Sequence, residues 1–289
     1  MQPKPYLLRL IKKELKINQM KTKVLFLIAC LLTTLTGFAI TEKTVDGDGN
    51  VITKEISISD YNEISTVGVM EFVYEQSDAA PYLKVTIDEN LFPLLKINVE
   101  GKELKVGPKR INESSRNGNT YNLNPTTFKV VTNSREIKEL NVVSSGDFII
   151  ASPINISKLE INMAGSGNIL LKKKVEGNKL EVNLASSGSV VASDIDLRGV
   201  ECSLAGSGFI QIGGKAEQAE YNLAASGSIK AYDCATGKVE CNIAGSGNIQ
   251  AYAKDRLEAN IVGSGNVYYK GDPTTSKSII GSGKLKKAN

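Results

Sequence analysis

No histidine occurs anywhere in these 289 residues, so any enzyme chemistry must rest on carboxylates, Lys, Arg or Tyr. That removes the commonest general base, the Ser-His and Cys-His nucleophile pairs, and the commonest metal ligand. Carboxylates alone can cleave a polysaccharide, but they must be paired on neighbouring elements, or work with calcium and an Arg or Lys base. Asp194 and Asp196 alternate as on a strand, yet no neighbouring segment is expected to bring partner carboxylates to their slot. Glu139, Glu160, Glu181, Glu201, Glu220, Glu240 and Glu258 recur too uniformly to form a reaction centre, because active sites break a repeat. No catalytic residue and no cofactor is assigned, and the chain is read as a non-enzyme. A polysaccharide-cleaving enzyme is the alternative.

The best candidates for binding are Lys230, Tyr232, Gln250, Tyr252, Tyr268 and Lys270. They stand third and fifth after successive glycines of a repeated Ser-Gly pair, which puts them on one exposed side of their strands. Rings flanked by hydrogen-bonding side chains on a flat sheet suit stacking against sugars. A surface glycan is therefore the expected partner, with an envelope protein as the alternative, in which case the chain is a structural or signalling module. Lys158, Lys179, Lys238 and Arg256 stand two residues before their glutamates, interrupted by Gly199 and Gln218, and predict a salt-bridged ladder, not a metal column. Asp46-Gly47-Asp48-Gly49-Asn50 lacks the sixth-position glycine and twelfth-position glutamate of a calcium loop (Val51 and Ser57 stand there) and reads as a hairpin turn. No metal is assigned.

The elements that hold these residues follow from the Ser-Gly pairs. Eight small-Ser-Gly cassettes recur 18 to 21 residues apart, with glycines Gly146, Gly167, Gly188, Gly208, Gly227, Gly247, Gly265 and Gly283. The frame around each is apolar, Glu, apolar, Asn, apolar, Ala, as in LEINMAGSGNIL from Leu159. A fixed period of this length is the signature of a solenoid whose coils stack in turn. The fold expected is all-β: a parallel β-helix of about 20-residue coils over 133–289, preceded by a less regular β region over 40–132.

Within a coil, Leu159, Ile161 and Met163 point inward while Glu160, Asn162 and Ala164 point out. Gly165-Ser166-Gly167 makes a tight corner, where glycine takes positive φ at little cost. A second, more variable corner closes the coil near 176–178, 196–199, 213–215 and 236–238. In-register stacking puts like on like, so Asn162, Asn183, Asn222, Asn242 and Asn260 should form an amide ladder broken at Ser203. Cys202 and Cys241 share an inward slot two coils apart with Tyr221 between, too far for a disulfide. Cys234 falls in the second corner. Short strands are expected in the first half at 56–60, 67–75, 82–88, 95–100, 103–106 and 128–132, with a polar loop over 108–125.

The formal net charge of +4 is uneven. Seven of the 35 basic residues and one of the 31 acidic ones precede Ile40, leaving 28 against 30 for the rest. No electrostatic case for nucleic acid survives. The basic start Met20-Lys21-Thr22-Lys23, the uncharged stretch 24–38, and small residues at Gly37 and Ala39 read as a signal peptide within a 1–39 leader. The chain is thus expected to be exported to the periplasm or cell surface, with no transmembrane domain once the leader is removed. Leu27-Ile28-Ala29-Cys30 also matches a lipobox, which makes lipid anchoring at Cys30 the lesser alternative.

Ile58-Ser59-Asp60-Tyr61-Asn62-Glu63-Ile64, then Val67-Gly68-Val69, Val85 to Leu91 and the Ala-Gly-Ser-Gly-Asn repeats together resemble the bacterial auto-transporter adhesin head domain, or head GIN domain, family. The resemblance covers residues 45 to 286. It implies an exported β-helical envelope protein with an adhesin-like role and supplies no catalytic residues. The sequence closes on Lys284-Leu285-Lys286-Lys287-Ala288-Asn289 without the translocator segment of a self-exporting autotransporter.

Overall fold

A computed structural model of the chain describes residues 43–111 and 120–288. The expected leader at 1–39 with Cys30, and 112–119 of the polar loop, lie outside the described residues. What is described is nearly all-β, 72% of it strand, wound into a parallel solenoid of about 7 turns of ~20-residue coils.

Stacking is in register, as the repeat requires. Leu159 to Met163 pairs in parallel with Leu180 to Leu184, placing Glu160 beside Glu181 and Asn162 beside Asn183. The same frame continues through Glu201, Glu220, Glu240 and Glu258 on this first face. After the cassette, Asn168–Leu171 opens a second face, stacked between Asp147–Ile150 and Ser189 to Ala192. The inward columns Ile161, Val182, Cys202, Tyr221, Cys241, Ala259 and Met163, Leu184, Leu204, Leu223, Ile243, Ile261 are all fully or almost fully buried and form the core.

Three expectations need correction. The second corner is in fact a third side of the coil, with parallel pairing of Ile154, Val175, Ile195, Gly214 and Cys234. Cys234 therefore lies within a strand and points into the core, fully buried. The cassette glycines are required for a reason other than backbone handedness. None of the eight has a positive φ; that conformation falls two residues earlier, at Gly165, Gly245, Gly263 and Gly281. At the cassette glycine the constraint is closeness. A Cβ on Gly247 would lie 2.4 Å from the Gly227 carbonyl oxygen and 2.6 Å from Leu223 Cδ2. The Gly247 N–H meanwhile donates to the Ala225 carbonyl of the coil before, 3.0 Å away, so the turns stack by backbone hydrogen bonds as the strands do.

Asp46 to Asn50 is a turn but not a hairpin. Lys43–Asp46 pairs in parallel with Tyr121–Asn124, the end of the expected polar loop, whereas Val51–Ser57 pairs antiparallel with Tyr82–Asp88. Buried Asp88 holds the turn, accepting from Gly49 N at 2.9 Å, Thr126 N at 2.8 Å and Thr126 Oγ1 at 2.7 Å. Burial pushes this carboxyl up, but those donors outweigh it and hold it below its ordinary value.

The regular stack also starts before its first cassette. Glu63–Gly68 and Glu71–Gln76 form a coil directly against Glu139–Ser144 and Asp147–Ile150. Phe72 and Phe148 stack across that junction, centroids 4.7 Å apart. Residues 77–138 leave this coil and fold back beneath it. Glu103–Pro108 pairs in parallel with Glu63–Gly68, and Phe128–Ser134 with Glu71–Gln76. Antiparallel partners Leu95–Glu100 and Tyr82–Asp88 then cover the outer edges of these strands.

Candidate functional site

On the first face the expected charge ladder forms. Lys158 bonds Glu160 at 2.8 Å and Glu181 at 3.3 Å, and Lys179 bonds Glu181 at 3.3 Å and Glu201 at 2.9 Å. Each lysine thus ties its own coil to the next. Burial raises Glu181, but Lys179 and Lys158 outweigh it and leave that carboxyl below its usual range. Beside the glutamates, Asn162 donates to Asn141 (3.1 Å), Asn183 to Asn162 (2.9 Å), Asn242 to Asn222 (3.0 Å) and Asn260 to Asn242 (2.9 Å), with the break at Ser203. Where Gly199 and Gln218 replace the basic residue, a groove of about 490 Å³ opens, lined by Lys179, Glu201, Glu220, Lys238, Glu240 and Arg256. The interruption was legible in the repeat; the concavity it leaves was not.

Carboxylates do meet on the third side, contrary to expectation. Glu176 is the register partner of Asp196 one coil away. The pair is committed to lysines: Lys174 bonds Glu176, and Lys215 bonds Asp196 at 3.0 Å. Among the described residues no group of three or more His, Cys, Asp or Glu is placed to hold a metal ion. Cys202, Cys234 and Cys241 are free and buried. Cys202 and Cys241 flank Tyr221 in one column, so they stand two coils apart. Burial pushes all three thiols up, away from the reactive thiolate. The Tyr221 hydroxyl is buried with no hydrogen-bond partner of good geometry, its polar neighbours being Cys234 and Thr236.

The six candidate binding residues all lie on the outer side of the second face, exposed or half-buried. Lys230, Gln250 and Tyr268 form one column, flanked by Gln211 on one side and Lys286 on the other. Tyr252 and Lys270 are partners in the next. Tyr232 leaves that column, because the strand bulges between Ala231 and Ala235 and Ala235 takes the place beside Tyr252. The rings are not bare. Lys230 Nζ lies 4.2 Å from the Phe209 ring centroid, Lys270 Nζ 4.8 Å from that of Tyr232, and Lys286 Nζ 5.9 Å from that of Tyr268. Burial, then the neighbouring Tyr268, raises the Tyr232 hydroxyl. Phe209 and Lys286 were missed as members of this face. Lys286 stands third after Gly283, the same count one coil later, while Phe209 stands first after Gly208, on the outward side by strand alternation. Toward the other end, the column of Lys230 continues through Val191, Leu170, Ile149 and Val73, half-buried apolar residues on the outer side.

The family model described as "putative auto-transporter adhesin, head GIN domain" matches residues 60–193 and 167–273. Among solved structures the chain is similar to a "putative lipid binding protein" from Parabacteroides distasonis ATCC 8503, with 55% identity and a TM-score of 0.83, covering 86% of this chain and 100% of that one. It is also similar to a "putative adhesin" from Parabacteroides merdae ATCC 43184, at 36% identity and a TM-score of 0.79, covering 85% and 99%. A further "putative adhesin" from Parabacteroides distasonis ATCC 8503 shares 33% identity with a TM-score of 0.79, covering 85% and 100%. No curated protein matches the chain.

Proposed function

Because the chain belongs to the auto-transporter adhesin head GIN domain family, we propose that it is an exported, non-enzymatic adhesin-like module of the bacterial envelope that binds surface glycans. The observation that supports this most is the flat outer side of the second face, where Tyr232, Tyr252 and Tyr268 sit among Lys230, Gln250 and Lys270 on a rigid stack of coils. Rigid aromatic surface loses little entropy on binding, so modest contacts per sugar are not spent on ordering the protein. The non-enzymatic reading is supported by the lack of histidine and by carboxylates already bonded to lysines. The export reading is supported by the signal-like residues 20–39 of the sequence; no described helix is long and apolar enough to cross a membrane.

The test is the double variant Tyr252→Ala, Tyr268→Ala, read by glycan-array retention and thermal midpoint together. Binding lost at an unchanged midpoint is expected; a collapsed midpoint, or binding kept in full, removes the tyrosine platform. A second reading, lipid binding, is favoured by the name of the 55% identical relative and by the outward apolar column Val73, Ile149, Leu170 and Val191. Retention on neutral phosphatidylcholine vesicles that Leu170→Gln abolishes would move the assignment there.

A further inference from the structure

The two faces use their lysines in opposite ways. On the first face Lys158 and Lys179 are each bonded to two glutamates. On the second, the strand runs 209–212, 228–232, 248–252, 266–270 and 284–287 contain no Asp or Glu at all. Lys230, Lys270, Lys284 and Lys286 stand there, and none forms an ion pair with a described carboxylate. The acids at the rim are Asp233, and Asp272, which is bonded to Lys287. The ammonium groups of Lys230, Lys270 and Lys286 rest against aromatic rings instead.

We propose that the ligand of this face is an acidic glycan, a chain of repeated carboxylates or sulfates lying along the stacking direction; this rests on the glycan reading above. A lysine over an exposed ring is held more weakly than one hydrogen-bonded to an anionic oxygen. An arriving carboxylate or sulfate therefore draws the ammonium off Phe209, Tyr232 or Tyr268 and, in the same movement, frees that ring for the sugar. Neutral sugar cannot make the exchange, because it offers the ammonium nothing stronger than it leaves. The spacing calls for a polymer. Lys230 and Lys286 occupy one column with Gln250 and Tyr268 between them, three coil spacings or about 14 Å apart. One small anion cannot reach both. Between the charges, Gln250 and the amide pair in which Asn266 donates to Asn248 at 3.1 Å offer hydrogen bonds to hydroxyls. A lipid surface fits these coils less well, since none of the exposed large apolar residues Val51, Val67, Val69, Ile111 and Ile280 stands in these strand runs. The face also carries no arginine to grip phosphate in a bidentate fork.

The experiment compares polygalacturonate with its fully methyl-esterified form, which keeps the sugar and removes the charge, and adds dextran sulfate, dextran and phosphatidylserine vesicles. The protein is wild type, the triple variant Lys230→Gln, Lys270→Gln, Lys286→Gln, and the first-face control Lys158→Gln. Expected is retention on an acidic polymer, weakened by salt, absent on its neutral counterpart, and reduced at least about tenfold in the triple variant with its charge-assisted contacts gone. The midpoint should not change, and the control should bind as wild type does. Equal binding of the neutral forms overturns the acidic preference while leaving the glycan reading in place. Full binding by the triple variant, or equal loss in the control, overturns the site. Retention on vesicles alone, or on nothing, overturns both.

Discussion

Asn162, Asn183, Asn242 and Asn260 each donate one amide proton to the asparagine of the coil before, and a side-chain oxygen buried in such a ladder needs a donor from the coil after it. That requirement is met at Asn162 and Asn242 and fails at the last member. Asn260 gives its proton to Asn242 at 2.9 Å, but its own Oδ1 is buried without a partner, and the residue stacked on it is Ser278. A serine side chain is too short to stand where the next amide would. Ser278→Asn is expected to supply the missing donor and stabilise the fold by about 1 kcal/mol, the net worth of one intramolecular hydrogen bond. A chain of this size should show it as a rise of about 2–4 °C in thermal midpoint. An unchanged or lowered midpoint would mean that the ladder contributes register and little stability. The column itself was legible in the sequence because one residue type recurs at one period. Its burial was not, since four of these outward-facing asparagines are as covered as core residues. Only stacking by the coils above and below produces that.

At the scale of the element, the corner decides what the repeat tolerates. A β-branched residue at Gly247 looks forbidden on backbone grounds when only the Gly-Ser-Gly pattern is in view. The coils show a stricter constraint, since even a methyl group at Gly247 would meet the Gly227 carbonyl oxygen at 2.4 Å. Gly199, in the gap of the lysine ladder, has nothing nearer than Lys179 Cγ at 3.8 Å. Gly247→Ala should therefore be severely destabilising, beyond about 3 kcal/mol, because backbone of two coils must part. Gly199→Ala should be neutral or stabilise by about 0.4–1 kcal/mol through the unfolded chain. Urea midpoints of the two variants check this, and similar values for both would refute the close-approach account. The same contrast marks the limit of sequence reading. Period and alternation gave the strands and their order, as at Tyr82–Asp88 and Leu95–Glu100. They could not say which glycines face another backbone, nor that Tyr232 leaves its column, because both depend on how far one coil sits from the next. The coil at Glu63–Gly68 went unseen for a related reason: it carries the Glu, apolar, Ser pattern of the frame, but residues 77–138 separate it from its neighbours and no cassette follows it.

On the scale of the whole solenoid, the two ends are finished by different means. At one end the antiparallel strands Leu95–Glu100 and Tyr82–Asp88 cover the edges below the first coil. At the other, Thr274–Gly281 and Lys284–Lys287 have no further strand beside them among the described residues, and Ile280 is 64% exposed. An open pair of parallel edges with apolar side chains is a template for another chain. Charge guards it. Residues 266–289 hold five lysines and one aspartate, while 40–265 hold 23 basic residues against 29 acidic ones. Lys277 is the most telling, because it takes the inward slot filled in earlier coils by Ile161, Val182, Cys202, Tyr221, Cys241 and Ala259. A charge there cannot be covered by a stacked coil without losing its water, so it stops the core from continuing into a neighbour. Replacing it restores the apolar column up to the edge. Lys277→Val should fold with an unchanged or higher midpoint and should self-associate as concentration rises, which sedimentation velocity will show as a shift from one boundary to larger species. Ile280→Lys added to that variant should return it to the wild-type boundary. If Lys277→Val keeps the wild-type boundary at every concentration, the edge is guarded by the remaining lysines alone, and the inward lysine serves no protective purpose.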